Sequence, residues 1–283
     1  QDDLVTKARV FQDQGYRTQA IALLQQADQL AKQLSEDSSE TGLLLAQLYL
    51  ELGEYPLSLN LITRTLDQSE SKAIEARALN ILASVQSILN DVKTATDTFA
   101  RAYTASLASG DQAMTLTVLT NHLRHELDNK NTNKSLAIGK QLLTLSSTLG
   151  VRSDTVEIQI SIGDLFIRIA DQTGEDNFYR QALSILQQAE TTAKNQGQVR
   201  LQSYAIGHQG RLLINQNKLE DGIQRLTTAN FLANTRRAFE SAYLWQWQLA
   251  RALRLQGRTD DAILGYQTAI GTLEHVRTEL ING

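Results

Sequence analysis

Between residues 245 and 269 the apolar positions run in two helical registers divided by Gly257. Leu249, Ala250 and Leu253 keep the i, i+1, i+4 rhythm of one helix face, and Ala262, Tyr266 and Ala269 keep i, i+4, i+7 on the next. Ala250 and Ala262 lack bulk, so two backbones can approach to roughly the 8 Å lower limit of packed helices, with Tyr266 filling the space beside them. A pair that small cannot bury its own apolar faces. It needs a neighbour on each side.

The unit recurs upstream. A small residue opens each second helix at Ala20, Ser58, Ala95, Ser135, Ala182, Gly222 and Ala262, with spacings of 38, 37, 40, 47, 40 and 40. Four positions on stand Leu24, Ile62, Phe99, Gly139, Leu186, Leu226 and Tyr266, a plugging column in which Gly139 is the exception. Seven positions on stand Ala27, Thr65, Ala102, Leu142, Ala189, Ala229 and Ala269. First helices offer Ala8, Ala46, Ala83, Leu123, Gly163, Gly210 and Ala250 at the matching crossing. Turns fall at Gly15, Gly53, Asn90, the 129–133 run, Asn217 and Gly257, and Pro56 sits where a second helix starts, where its missing N–H costs nothing. The pattern predicts an all-α chain: one solenoid over 1–283 made of seven antiparallel helix pairs, near 3–37, 38–73, 74–110, 111–150, 151–198, 199–238 and 239–283.

Composition narrows the role. One proline and no cysteine leave little to interrupt helices and exclude disulfide and thiolate chemistry. A net charge of -4 argues against nucleic acid as a partner, since phosphate binding relies on clustered Lys and Arg. No apolar run approaches the roughly 20 residues that span a bilayer, so no membrane insertion is expected. The start at Gln1 suggests an exported protein with a processed leader, with a cytoplasmic location as the alternative.

The helix-pair pattern, with Gly15-Tyr-Arg-Thr-Gln-Ala20-Ile21 and Gly257-Arg-Thr-Asp-Asp-Ala262-Ile263, resembles the tetratricopeptide repeat (TPR) family over essentially the whole chain. That resemblance implies a right-handed superhelix of extended repeats that binds protein or peptide on the face formed by its first helices. At the C-terminus, Leu244-Trp-Gln-Trp-Gln-Leu-Ala-Arg251, Leu255-Gln-Gly257 and Leu273-Glu-His-Val276 resemble the final repeat of bacterial TPR proteins that carry a caspase-like CHAT domain. It implies a module that recruits or regulates such a domain, and it lends no catalytic residue to this chain. A second reading is a ligand-sensing module, as in bacterial regulators whose similar repeats close around a short peptide.

Candidate chemistry within the chain is sparse. His122 and His125, followed by Glu126, have an i, i+3 spacing that could aim two imidazoles at a metal, but the packing columns favour one partly buried and one solvated ring, so no metal or other cofactor is expected. No phosphate loop or nucleophile elbow is present, and no enzyme activity is expected. The insert Asp171-Gln-Thr-Gly-Glu-Asp-Asn177 reads as a solvated loop, with docking or ion binding as the alternative. Trp245 and Trp247 diverge by about 200° on a helix, so one of them reaches a surface.

The family's groove-facing position falls on Arg9, Gln47, Ser84, Arg124, Asp164, Arg211 and Arg251. Its C-terminal end is basic, with Arg254 one turn further and Tyr204 and Trp247 on neighbouring positions. Arg124, Tyr204, Arg211, Trp247, Arg251 and Arg254 are therefore the expected peptide site, suited to an acidic segment. On the last helix Ile263, Tyr266, Ile270, Leu273 and Leu280 make an apolar stripe broader than one partner helix covers. Such a stripe predicts a docking face for a following domain, or for a second copy of the chain.

Overall fold

The computed structural model describes residues 2–13, 16–146, 155–236 and 238–282, with the side chains of residue 13 and of residues 279–282 outside that description. Those residues are almost entirely helical, with no strand among them. Two compact units divide the chain in a turn, Gln1–Lys130 and Asn131–Asn282. The first contains α1 (Asp2–Asp13), α2 (Arg17–Leu34), α3 (Ser39–Glu51), α4 (Tyr55–Gln68), α5 (Lys72–Ile88), α6 (Val92–Ser109) and α7 (Gln112–Asp128). The second contains α8 (Thr132–Ser146), α9 (Val156–Thr173), α10 (Asp176–Asn195), α11 (Val199–Asn215), α12 (Leu219–Thr235), α13 (Phe239–Leu255) and α14 (Thr259–Asn282). This is an all-α, TPR-like helical-repeat fold.

Most first helices stop where the backbone turns left-handed. Gly53, Asn90, Lys130, Asn217 and Gly257 hold positive φ at the step from a first to a second helix, a region that glycine and asparagine enter more readily than lysine. Pro56 occupies the first turn of α4, where no intrahelical partner is lost.

Every small residue of the crossing columns is buried, and so is the alanine-rich column seven positions on. In the first unit Ser58 Oγ donates to the Ala46 carbonyl at 2.8 Å, so the two small columns touch. In the second unit the same contact is made by two glycines. A Cβ on Gly222 would stand 3.0 Å from the Gly210 carbonyl oxygen, and a Cβ on Gly210 would stand 2.7 Å from Leu226. Without side chains at either place the helices close to contact, and Leu226 fills the flank.

Two sequence expectations need correcting. Gly139 is not a failed plug: a Cβ there would stand 2.6 Å from Ile169 and 3.1 Å from Phe178. The glycine leaves room for these side chains, and Phe178 is in turn packed edge-on against Phe166, with ring centroids 5.3 Å apart. Nor is the 171–177 insert a loop, although all but one of its residues are exposed as expected. Residues 171–173 continue α9, Gly174 makes a left-handed turn, and Asp176 begins α10. From the Gly163 crossing to Gly174 is eleven residues, against seven from Gly210 to Asn217; from there to Ala182 is eight, against five to Gly222. Each helix of this pair has gained about one turn of 3.6 residues, which returns its apolar face to the same side.

Candidate functional site

In the second unit the first helices α9, α11 and α13 lie side by side. Their shared face is built from polar side chains at helical repeats: Glu157, Asp164 and Asp171 on α9; Arg200, Tyr204, His208, Arg211 and Asn215 on α11; Glu240, Gln248 and Arg251 on α13. These side chains join in three rows across the helices.

At the N-terminal end Arg200 Nε donates to Glu240 Oε1 at 2.7 Å and its Nη1 stands 4.0 Å from Glu157 Oε1, with the guanidinium 5.5 Å from the centre of the Tyr204 ring. In the middle Arg211 Nη1 meets Asp164 Oδ1 at 2.6 Å, and His208 Nδ1 meets the same oxygen at 3.2 Å. Burial pushes the Asp164 carboxyl up, but the charges of His208, Arg211 and Arg168 outweigh it and hold the group well below the usual carboxylate range. Burial also pushes the Tyr204 phenol up to about 12, against the opposing charge of Arg200 and with the help of Glu240 and Tyr243.

At the C-terminal end Tyr179 donates to Asp171, and Asn215 Nδ2 donates to both Asp171 oxygens at 3.0 and 2.9 Å. Burial and the Asp171 hydrogen bond push the Tyr179 phenol above its usual range. Asn215 Oδ1 then accepts from Arg251 Nη1 at 2.8 Å, and Gln248 Oε1 accepts from it at 3.4 Å. Arg251 is thus held by two amides rather than by a carboxylate. Arg254, one turn on, is exposed.

The expected site residues are distributed as follows. Tyr204, Arg211 and Arg251 share this face, and Arg254 lies beside it. Arg211 spends its charge on Asp164. Trp247 is 48% exposed and stands edge-on to Tyr266 of α14 at 6.2 Å. Arg124 belongs to the first unit, where its Nη1 donates to Asn121 Oδ1 at 2.7 Å. The sequence reading missed Asn215, Asp171 and Tyr179. Its available signal was the seven-residue step of the three α9 acids, and the forty-residue step from Arg200 to Glu240 and from Arg211 to Arg251.

Trp245 is the buried member of the tryptophan pair. Its ring lies on the α11 backbone, where a Cβ on Gly207 would stand 2.4 Å from it, and its Nε1 donates to Ser203 Oγ at 3.0 Å. The expectation of one solvated histidine on α7 is corrected. His125 is 2% exposed, between Ser87 Oγ at 2.7 Å and Thr96 Oγ1 at 3.1 Å. His122 stacks on Phe99 and meets the buried Glu126 at 3.3 Å. Both rings lie on the side of α7 that α5 and α6 cover, so they serve packing. No group of three or more His, Cys, Asp or Glu side chains among the described residues is arranged to hold a metal ion.

Of the α14 stripe, Ile263, Ile270 and Leu273 are exposed and Tyr266 is half-buried; the Leu280 side chain lies outside the described residues. No described helix is long and apolar enough to cross a membrane.

Comparison with protein families finds no matching family, and comparison with curated proteins finds no match. Solved structures do resemble the chain. The apo form of RapI aligns over 97% of this chain and 98% of its own, at 14% identity and a TM-score of 0.65. The Rap conjugation gene regulator of the plasmid pLS20, in complex with the Phr* peptide, aligns over 97% and 74%, at 12% identity and 0.64. A signal-transduction ATPase (STAND) with a tetratricopeptide repeat sensor, from Pyrococcus horikoshii, aligns over 99% of this chain and 49% of its own, at 14% identity and 0.61. These likenesses establish the TPR-like fold.

Proposed function

We propose that the chain is a protein- or peptide-binding repeat module whose second unit takes an acidic segment on the α9–α11–α13 face. The observation that carries this reading is the difference among its arginines. Arg200 and Arg211 are matched to carboxylates, whereas Arg251 is fixed by the amides of Asn215 and Gln248 and Arg254 extends from the next turn. A guanidinium held in place with its charge uncancelled is prepared to fork onto a ligand carboxylate, because less side-chain freedom is lost on binding. The pLS20 regulator seen with the Phr* peptide and the TPR sensor of the STAND protein support a peptide- or ligand-sensing role over a purely architectural one.

The test is fluorescence anisotropy of the intact chain with a labelled pool of peptides rich in Asp and Glu. An Arg251→Glu, Arg254→Glu variant should bind at least about tenfold more weakly and with a flatter dependence on salt, since like charges now face each other. Affinity that stays the same in a variant with an unchanged melt places the ligand elsewhere.

A finer reading, recruitment or restraint of a caspase-like CHAT domain, rests on the resemblance of the C-terminal residues and is favoured by the exposed apolar stripe of α14. Its test is association of this chain with such a domain supplied separately. Association that survives the change of Ile270 to Glu counts against that seat.

A further inference from the structure

The added turn of the α9–α10 pair carries side chains of the candidate face. Counted from the Gly163 crossing, Asp171 is the eighth residue and still lies within α9. The eighth residue after Gly210 is Lys218, and after Ala250 it is Arg258, both already past the turn. Of the three first helices that form the face, α9 alone reaches that level. On α10 the added turn holds Phe178, which is buried, edge-on to Phe166 and beside Gly139. A buried aromatic fixes the extension to the core. Next to it Tyr179 donates to Asp171, so the carboxylate is held from both helices.

What Asp171 does there follows from the chemistry of its second partner. A carboxylate accepts hydrogen bonds and cannot donate them, whereas an asparagine amide donates from nitrogen and accepts at oxygen. Asp171 takes Asn215 Nδ2 on both oxygens, at 3.0 and 2.9 Å. The amide oxygen must then turn the other way, where it accepts from Arg251 Nη1 at 2.8 Å. In the middle row no such relay is needed, because Arg211 and Asp164 each stand one place past their crossings and pair directly. Arg251 holds that place on α13, but the same place on α11 is held by Arg211. Asn215, one turn on, takes the role of partner, and the carboxylate that orients it stays a full side chain away from the guanidinium. Arg251 is thereby fixed without an acid against it, which is what support from a second layer of side chains gives a ligand-binding group.

We infer that Asp171, braced by Tyr179, is the positioning residue that sets Arg251 for a ligand carboxylate through Asn215, and that the one-turn extension of α9 and α10 is what supplies it. The inference rests on the reading of Arg251 and Arg254 as an acidic-ligand site. It assigns a role to an insertion that the other pairs of this unit lack, and it makes Asn215 an amide for a reason: an aspartate in its place would cancel the charge that the ligand meets.

The test uses the intact chain, the labelled pool of peptides rich in Asp and Glu, and NMR relaxation of the arginine Nε–Hε groups, with the Arg251 signal identified through Arg251→Lys. Asp171 is exposed, so Asp171→Ala should melt close to the parent. In that variant the Arg251 order parameter should fall from near the roughly 0.85 of rigid backbone to below about 0.6. The pool should bind at least about fivefold more weakly, since the arginine must now be ordered on binding. The sign is diagnostic, because Asp171→Ala also removes a negative charge from the face, which by itself would tighten an acidic ligand. Asn215→Asp should do the reverse to the side chain: Arg251 stays ordered, yet binding weakens at least about tenfold because its charge is cancelled. Affinity that is unchanged or tighter in Asp171→Ala, or an Arg251 side chain as ordered there as in the parent, overturns the inference and leaves the acidic-ligand reading in place. A parent that binds none of the pool overturns both.

Discussion

Asp164 shows how a single residue ties the candidate face together. Its carboxyl is held low by His208, Arg211 and Arg168 against the cost of burial. A carboxyl depressed in the folded state contributes stability that is complete above the unfolded carboxylate range, near pH 4, and is lost as pH falls towards the folded value. An Asp164→Asn variant should therefore be less stable than the parent at pH 7 and differ from it less at pH 3, as read from urea midpoints. Equal differences at both pH values would remove the carboxylate from the account. This residue was legible in the sequence only as a position in the groove column. Its partners were not, because pairing with Arg211 spans 47 residues and depends on how far one helix slides along the next. The tryptophan pair shows the same division. Helical periodicity required one exposed ring, but only the close approach of Gly207 to the indole shows that Trp245 is the buried one.

At the scale of helices, the repeat columns were readable because small residues recur five positions after each turn except the one at Gly174, and burial follows them throughout. The 171–177 insert was misread because Asp, Asn and Gly suggest a loop, whereas seven residues are also close to two helical turns. Gly139 was misread for a related reason: the side chains that fill its place come from α9 and α10. Glycines within helices now divide into two kinds. Gly210 faces Leu226 and the Gly222 carbonyl, and a Gly210→Leu change should overpack the α11–α12 crossing by about 1–3 kcal/mol. At Gly271 a Cβ would meet nothing within 4 Å, so Gly271→Ala should stabilise by about 0.5–1 kcal/mol through helix propensity. Urea unfolding of both variants reads the two signs. A neutral Gly210→Leu would contradict the crossing, and a destabilising Gly271→Ala would contradict the open face.

For the molecule as a whole, the two units share one construction but differ in what their first helices present. In the first, Glu40 lies between Arg9 and Arg77. In the second, acids of α9 and arginines of α11 match through two rows, and the match ends at Arg251 and Arg254. The central claim is that this unmatched end selects acidic ligands. It is tested most directly by affinity selection from a random peptide library, run in parallel on the parent chain and on the Arg251→Glu, Arg254→Glu variant. The parent should enrich sequences containing Asp or Glu, and the variant should lose that enrichment or turn to Lys and Arg. The same sequences recovered from both proteins would contradict the account.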